Sequence, residues 1–511
     1  MNTRDLMRRA AQMFAGRPAL IHNDRRLTYA QAWQRATRLA NGLTAMGLRP
    51  GDRVAVLEDN SIEAADFLLG TTLGGFVRVP LYARNSVASH VHMTRNAACR
   101  ALVASAAYRE QATAVRAALD LPVVLLRDEG YEGWLSQQND TDPDPAIPED
   151  DLYVVRHTGG TTGLPKGVAY TQRNWINGMR DWFYAYPVVE PGDVFMHVGP
   201  ISHGSGYFFT PVWLHGGVNL LLDHFDAAEA LATMERERVG YVFTVPTMAA
   251  AMTRVPDAKQ HDFSHLKMFH ISGAPVSDRT ALDARELFGD VLYQMYGQTE
   301  AVTGTIMSGE IWFSDVPGSQ PLRSAGRPFP FAEVRIVGPD GQPLATGLEG
   351  EIAIRCDGQM SGYLDDPEAT SRKVIDGWVR TGDIGRLDAN GFLYVLDRLD
   401  DMIISGGFNI YPTELENVIA NHPAVTETAV FGVPDQRWGE APIALCVVGD
   451  PAAVDPGEII QLCAGALGSY KKPREVLFTS VPLPKSPTGK LQRKVLREEY
   501  WKSENRRVGG A

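Results

Sequence analysis

The chain contains 511 residues, enough for about two to four domains of ordinary size. Hydrophobic residues make up 44% and charged residues 22%, which excludes a disordered or collagen-like chain. The 49 basic and 61 acidic residues give a net charge of −12, so no overall field gathers nucleic acid, and we expect no nucleic-acid partner. The cysteines lack C-x-x-C spacing, which indicates neither a disulfide framework nor a zinc site; they are Cys99, Cys356, Cys446 and Cys463.

The N-terminal segment, residues 1–14, carries three arginines among alanines and faintly resembles a transit peptide. It also contains an aspartate and runs directly into strand-like residues 18–22 and 26–29, so we interpret it as the first helix of the fold. No run approaches the ~18 apolar residues of a membrane span, and residues 508–511 form no retention or peroxisomal signal. We therefore expect a cytoplasmic protein with no transmembrane segment.

Apolar runs of strand length alternate with alanine-rich helical stretches from about residue 20 to residue 300, the pattern of α/β layers. Residues 53–57 and 122–126 are examples of such strands. Residues 139–151 are rich in aspartate and proline and predict an exposed connector. From 326 to 395, short alternating stretches separated by turn sequences, such as Gly-Pro-Asp-Gly at 338–341, indicate a small β unit.

A second boundary falls at residues 397–401. Beyond it, Thr413-Glu-Leu-Glu416 has the form of a capping box that starts a helix with Leu415, Val418 and Ile419 on one face. The sequence thus predicts an α/β fold with a large N-terminal domain, 1–396, of stacked α/β layers plus a small β unit. A hinge at 397–401 and a small mobile α+β C-terminal domain, 402–511, follow.

The strongest local motif is Thr-Gly-Gly-Thr-Thr-Gly-Leu-Pro-Lys-Gly at residues 158–167, directly after the apolar run 152–155. Its glycines let backbone N–H groups turn inward, its threonines add hydroxyl donors, and Lys166 adds a cation, so the loop suits a pyrophosphate. Pro165 before the lysine excludes a Walker A loop. The composition alone also fits a flexible surface turn.

The order of residues in this loop resembles the phosphate-binding signature of the adenylate-forming superfamily. That superfamily holds acyl-CoA synthetases, adenylation domains of peptide synthetases and firefly-type luciferases. Further motifs match in family order over about residues 18–500, and the pattern is most similar to that of acyl- and aryl-CoA ligases. These motifs are Gly273-Ala-Pro275, Tyr296-Gly-Gln-Thr-Glu300, Trp378-Val-Arg-Thr-Gly-Asp383, Asp397-Arg-Leu-Asp-Asp401, Gly406-Gly-Phe-Asn-Ile410 and Pro484-Lys-Ser-Pro-Thr-Gly-Lys490.

The resemblance implies an ATP site. Tyr296 offers a flat face for adenine, Asp383 can accept the ribose hydroxyls, and Arg398 can reach the ribose or a phosphate. Glu300 is an oxygen ligand suited to Mg²⁺. The other residues that the resemblance assigns to ATP or AMP are Thr158, Gly159, Gly160, Thr161, Thr162, Gly163, Lys166, Gly273, Ala274, Pro275, Met295, Gly297 (which would keep the backbone beside the adenine open), Thr299 and Lys490.

The resemblance also implies the catalytic groups. Lys490 would stabilise charge between the substrate carboxylate and the α-phosphate, and His203 would act as a movable gate beside the carboxylate. Thr162, Lys166 and Glu300 complete the expected catalytic set. The C-terminal domain would turn about a pivot at Asp400. That turn would remove Lys490 from the site and form a tunnel for CoA, lined by Gly406, Gly407 and Trp438.

The predicted substrate pocket is apolar. Its expected members are His203, Tyr207, Phe208, Gly273 and Gly304, with Phe209, Val212, Trp213 and Met307 around them. We expect a closed interior without fixed charge that favours medium-chain, aryl or alicyclic monocarboxylates. Residues 200–207 lack the aspartate that amino-acid-activating members carry, so an amino acid is disfavoured. We interpret His197 and His215 as structural.

The predicted reaction uses ATP, Mg²⁺ and CoA. A small carboxylic acid attacks the α-phosphate to give acyl-AMP and pyrophosphate, and the CoA thiolate then forms the thioester and releases AMP. Loading of a carrier protein, a luciferase-like oxygenase and a catalytically inactive nucleotide sensor remain open as alternatives. The sequence also leaves open whether the protein forms a homodimer.

Overall fold

The computed structural model describes residues 1–158, 165–406, 408–450, 454–468, 470–485 and 491–501. Its α-helices are α1 Thr3–Met13, α2 Tyr29–Ala45, α3 Ile62–Gly74, α4 Val87–Asn96, α5 Arg109–Leu119, α6 Tyr131–Ser136, α7 Gln172–Ala185, α8 Gly206–Leu214, α9 Ala227–Arg236, α10 Pro246–Thr253, α11 Asp278–Phe288, α12 Gly309–Trp312, α13 Pro367–Lys373, α14 Pro412–Ile419, α15 Pro456–Leu467 and α16 Arg493–Trp501.

The strands alternate with these helices in the first three hundred residues and dominate the chain after them. The earlier strands are β1 Pro18–His22, β2 Arg25–Thr28, β3 Arg53–Leu57, β4 Val77–Pro80, β5 Ala101–Ser105, β6 Val123–Arg127, β7 Leu152–Thr158, β8 Lys166–Thr171, β9 Val194–His197, β10 Val218–Leu221, β11 Tyr241–Thr244, β12 Met268–Ser272, β13 Leu292–Gln298, β14 Ala301–Ser308 and β15 Arg327–Pro328. The later strands are β16 Ala332–Val337, β17 Gly350–Cys356, β18 Gly362–Tyr363, β19 Val374–Ile375, β20 Trp378–Leu387, β21 Leu393–Arg398, β22 Ile403–Ser405, β23 Phe408–Ile410, β24 Val425–Asp435, β25 Gly439–Val448 and β26 Glu475–Thr479.

Two large sheets contain most of the strands in the first four hundred residues. One has the order β15-β14-β13-β12-β11-β9-β10-β1-β2, and the other has the order β18-β8-β7-β4-β3-β5-β6. Strands β9, β11, β12 and β13 are parallel, so their carboxyl ends meet at one edge, where the loops after β12 and β13 carry predicted nucleotide segments. The predicted α/β layers are confirmed.

The small β unit is also confirmed. Strands β16, β17, β20 and β19 form an antiparallel sheet, and β21 pairs with β20. The β20–β21 hairpin places Asp383 directly opposite Arg398. Two residues of the ATP site predicted from different motifs are therefore neighbours on adjacent strands.

The last sheet has the order β23-β22-β25-β24, with β26 parallel to β25, and α14 and α15 pack on it. Leu415 and Ile419 of α14 are buried as predicted, but the predicted capping box is wrong. The helix begins at Pro412, because proline is preorganised for the first helical position, and no side chain caps it. The Thr413 N–H donates instead to Asp397. The domain limits and the hinge stay predictions.

The first helix is folded as predicted. Arg4 of α1 is buried, and its guanidinium donates to the Leu73 carbonyl and pairs with Asp142 and Asp144. These aspartates belong to the predicted connector, so ion pairs with Arg4 attach the connector to α1. Among the described residues, no helix combines the length and the apolar character that a membrane crossing requires.

Candidate active site

The predicted phosphate loop begins and ends on paired strands. Residues 159–164, which include Gly159, Gly160, Thr161, Thr162 and Gly163, lie outside the described residues. The residues that flank them, Thr158 on β7 and Lys166 on β8, are direct partners across the two strands. Lys166 is exposed, and its ammonium lies 5.2 Å from the centre of the Tyr363 ring.

Tyr363 joins this lysine to the predicted magnesium ligand. Its hydroxyl donates to Glu300 Oε1 at 2.7 Å, and the Glu300 side chain is almost fully buried. Strand β18 brings Tyr363 here by pairing with β8. Tyr363 was not predicted from the sequence, because a two-residue strand shows no periodic pattern. A signal that could have found it is the Gly-Tyr pair shortly before Pro367, which starts a helix.

A second set of contacts joins β13 to the β20–β21 hairpin. The buried Asp383 carboxylate accepts from Arg398 Nε at 2.8 Å, from the Tyr296 hydroxyl at 2.6 Å and from Gln298 Nε2 at 3.0 Å. Burial, and then the Asp383 charge, raises the pKa of Tyr296 well above its usual value, so this hydroxyl keeps its proton and donates. Gln298 lies inside a predicted motif but was not singled out.

Lys373 was missed altogether. Its ammonium donates to Gln298 Oε1 at 3.2 Å and to the Thr381 carbonyl at 3.1 Å. Burial lowers the pKa of Lys373, although the charges of Glu300 and Asp383 oppose that shift. No motif marks this residue, because a single lysine at the end of a helix is ordinary in any sequence. We call the residues Lys166, Tyr363, Glu300, Tyr296, Asp383, Arg398 and Lys373 the polar cluster.

The predicted glycines have different physical reasons. A Cβ at Gly297 would lie 1.9 Å from the Val302 carbonyl oxygen, so glycine is required there by the close approach of two strands rather than to keep a face open. Gly273 has φ +88° and turns the chain after β12, with Ala274 and Pro275 exposed beside it.

Two more predicted ATP residues lie on or next to β13. The Thr299 carbonyl accepts from the Tyr170 hydroxyl at 2.5 Å. Met295 is half-buried against an aromatic core that also contains Tyr207 and Phe208. Both positions are therefore at the carboxyl edge of the nine-stranded sheet, next to Tyr296.

His203 lies in a turn before α8. Its carbonyl oxygen accepts from Arg156 Nη1 at 3.1 Å, and its ring meets the Tyr82 ring edge-on at 4.7 Å. Arg156 is 2% exposed, its guanidinium lies 4.0 Å from the centre of the Tyr207 ring, and its Nε has no partner in the described part of the chain. The predicted substrate pocket was expected to have no fixed charge in its interior. That expectation is wrong beside Tyr207, because the guanidinium of Arg156 extends from β7 to the Tyr207 ring.

The predicted aromatic wall is split between two cores. Phe208 and Val212 of α8 line a cavity of about 40 Å³, whereas Phe209 and Trp213 pack on the opposite side in the core of α1 and α2. Successive helical residues point about 100° apart, so an unbroken aromatic run cannot line one wall. Met307 belongs to a third core, so the predicted placement of these three outer members is wrong.

Three other predicted positions are explained by local packing. A Cβ at Gly304 would lie 2.7 Å from the Tyr296 carbonyl oxygen, so this glycine allows a close strand contact. His197 is fully buried, and its ring nitrogens contact the Ser205 hydroxyl and Asn219 Oδ1. A ring nitrogen of His215 contacts the Pro211 carbonyl.

Gly406 and Trp438, both predicted for CoA, are in direct contact. The Gly406 N–H donates to the Trp438 carbonyl at 2.8 Å, and a Cβ on this glycine, whose φ is +58°, would lie 2.6 Å from the indole ring. The Trp438 side chain is about half exposed. Gly407 and Lys490 lie outside the described residues. The Asp400 carbonyl accepts from Arg497 Nη1 at 3.1 Å, which ties the predicted pivot to α16.

Comparisons with known proteins agree with this architecture. The family described as AMP-binding enzyme matches residues 7–364, and its C-terminal domain family matches residues 414–490. The chain is 36% identical to a feruloyl-CoA synthase from Amycolatopsis sp, over 96% of this chain and 98% of that one. The amide bond synthetase McbA from Marinactinospora thermotolerans has a TM-score of 0.88 at 30% identity, covering 98% of this chain and 100% of that one. The anthranilate CoA ligase AuaEII, in complex with anthranoyl-AMP, has a TM-score of 0.89 at 25% identity, covering 98% and 97%.

The chain belongs to the AMP-binding enzyme family, whose members form adenylates. The predicted superfamily and fold class are thereby confirmed. Its relatives include proteins named as acyl- and aryl-CoA ligases, and the prediction of an AMP-forming acid–thiol ligase is confirmed at that level.

Proposed function

We propose that the enzyme activates a hydrophobic carboxylic acid with ATP and transfers the acyl group to CoA. The observation that carries this proposal is the polar cluster at the carboxyl edge of parallel strands. There Lys166, the buried Glu300 and the buried Asp383, which accepts from Tyr296 and the half-exposed Arg398, come together. The names of the similar feruloyl-CoA synthase and anthranilate CoA ligase support an aryl acid, and medium-chain and alicyclic acids stay within the proposal.

In the first half-reaction an oxygen of the substrate carboxylate attacks the α-phosphorus of ATP. The bond to the β-phosphate oxygen breaks, and acyl-AMP and pyrophosphate result. Asp383 and Arg398 would hold the ribose, Lys166 and Thr162 the departing phosphates, and Lys490 the oxygens in transit. His203, with its carbonyl fixed by Arg156, would border the carboxylate.

Glu300 fits a magnesium ion. Mg²⁺ is usually held by one or two carboxylates together with substrate phosphates, and within the described residues no cluster of three or more protein ligands exists. Glu300, fixed through Tyr363, would supply such a single carboxylate. When bound, the ion would neutralise phosphate charge.

In the second half-reaction the thiolate of CoA attacks the acyl carbon, a thioester forms, and AMP leaves. The groups needed differ from those of the first step, so we propose that the C-terminal part turns about Asp400 between the two. The packed pair Gly406 and Trp438 would then border the pantetheine arm, because glycine lets the backbone come close.

A pyrophosphate-release screen over aliphatic, aryl, alicyclic and amino acids tests this proposal, with thioester detected by mass. We expect release that depends on a hydrophobic acid and a thioester that depends on CoA. Pyrophosphate release without a CoA thioester, but with transfer of the acyl group to a carrier protein or an amine, would show that the acceptor is not CoA. No release with any acid, while ATP still binds, would favour a nucleotide sensor.

A further inference from the structure

Side chains on one face of the nine-stranded sheet form rows across β9, β11 and β12. The row that lines the cavity consists of Phe195, Tyr241 and Met268. Two residues further along each strand, toward the carboxyl ends, a second row consists of His197, Phe243 and His270. Because side chains alternate along a strand, both rows lie on the same face. The second row therefore separates the cavity from the carboxyl edge.

Tyr186 and His270 form a polar pair within this aromatic region. The Tyr186 hydroxyl lies 2.8 Å from His270 Nε2, and His270 is fully buried between the rings of Phe208 and Phe243, at 5.5 and 5.4 Å. Tyr186 itself contacts Phe208 and also lines the cavity. His270 Nδ1 has no hydrogen-bond partner among the described residues. Burial lowers the pKa of His270 to about 3, so the ring is neutral and its two nitrogens are one donor and one acceptor.

The distance of this pair from Gly273 indicates which part of a bound acid would meet it. His270 precedes Gly273 by three residues, which at the rise of a strand is about 10 Å. An acid whose carboxylate lies near Gly273 and His203 would therefore meet the pair with its far end. A ring joined to the carboxylate by two carbons spans this distance, and the surrounding rings suit a planar group.

We propose that Tyr186 and His270 bind an oxygen substituent, a hydroxyl or carbonyl, at the far end of a flat, ring-containing carboxylic acid. This inference rests on the proposed function and narrows its substrate class. A buried polar atom without a partner is costly, and an oxygen substituent would provide the partner that a methyl group cannot. An unbranched aliphatic acid would leave His270 Nδ1 without a partner.

Matched acids test the inference. We compare 4-hydroxycinnamate and 4-acetylcinnamate with 4-methylcinnamate, using kcat/KM for pyrophosphate release in the presence of CoA. The wild-type enzyme should prefer an oxygen-bearing acid by about tenfold or more. The ratio should fall to about 1 in Tyr186→Phe and in His270→Phe, and which of the two oxygen acids loses more identifies the substituent.

Tyr394→Phe is the control, because it also removes a buried, hydrogen-bonded phenol hydroxyl but lies away from this region. It should keep the wild-type ratio. A ratio that is unchanged in Tyr186→Phe, or equal losses for all three acids, would overturn the inference.

If no acid releases pyrophosphate, the proposed function fails separately. Calorimetric binding of the same acids to the wild-type protein and to Tyr186→Phe then decides the inference. Equal Kd values for the hydroxy and methyl acids overturn it, and a hydroxyl preference lost in the variant supports it.

Discussion

Replacement of Lys373 by methionine separates the electrostatics of the polar cluster from its packing, because methionine keeps an unbranched apolar stem but lacks the ammonium. That ammonium donates to Gln298 Oε1 and to the Thr381 carbonyl. Gln298 in turn donates to both the Thr381 carbonyl and Asp383, so the Thr381 oxygen keeps a donor in the variant. Gln298 Oε1 is the atom that loses its partner.

The expected magnitudes follow from these contacts. An unpaired buried acceptor costs about 1–3 kcal/mol. Removal of a buried ammonium offsets this, because the lowered pKa of Lys373 means that burial outweighs the attraction of Glu300 and Asp383. We therefore expect the free energy of unfolding to change by less than about 2 kcal/mol. Activity should fall about 10- to 100-fold in kcat/KM for ATP, because a hydrogen bond to a charged group contributes about 1.5–3 kcal/mol and Gln298 is no longer held against Asp383.

The assay is kcat/KM for ATP at saturating acid, with thermal unfolding measured on the same samples. Lys267→Met is the control, because it also removes an ammonium that is hydrogen-bonded within the fold, here to Asp193 at 2.9 Å, but Lys267 lies outside the polar cluster. An unchanged kcat/KM for ATP would refute the reasoning. A large loss of stability accompanied by equal losses for ATP and acid would show that Lys373 acts only in packing.

Three further predictions concern the C-terminal part and its junction. Lys490→Ala should abolish adenylate formation while supplied acyl-AMP still gives thioester; equal losses in the two half-reactions contradict that role. Asp400→Pro, which fixes φ and removes an N–H, should spare one half-reaction and stop the other, whereas unchanged rates in both exclude a pivot there. Burial, opposed by the charge of Arg493, raises the pKa of Asp397 from 3.8 to about 6, so the folded state binds the proton of this carboxyl more tightly than the unfolded state does. The stability that this proton provides is lost as the pH rises from about 4 through 6. Asp397→Asn should therefore reduce the fall in Tm over that range, and an identical fall in both proteins would contradict this prediction.

The layered fold could be predicted because its signals are local and periodic. The alternation of apolar strands with helices, the Gly-Pro-Asp-Gly turn and the ordered motifs can each be recognised in a short window of sequence. The start of α14 could not be read in the same way, since Pro412 and the apparent capping box at Thr413 compete for one helix end, and the backbone geometry favours proline.

The candidate site could be predicted only where a motif carries it. Tyr296, Asp383 and Arg398 are marked by their neighbours in sequence, and the structure joins them. Tyr363 and Lys373 are not marked, because their importance arises from strand pairing and helix position. The pocket wall was misread where three consecutive residues, 207–209, were treated as one surface, although Phe208 and Phe209 point into different cores.

Two buried cations near the candidate site, Lys373 and Arg156, are not marked by any sequence motif. The contacts of Lys373 and Arg156 in the described residues are to neutral oxygen atoms and ring faces. A buried cation is costly unless an anion compensates it. ATP and a carboxylate would both bring anions to the carboxyl edge of the sheet, where the loops after β12 and β13 lie. Glu300 and Asp383 offset part of this cost for Lys373, and we expect the anions of the substrates to offset more of it for both cations when they bind.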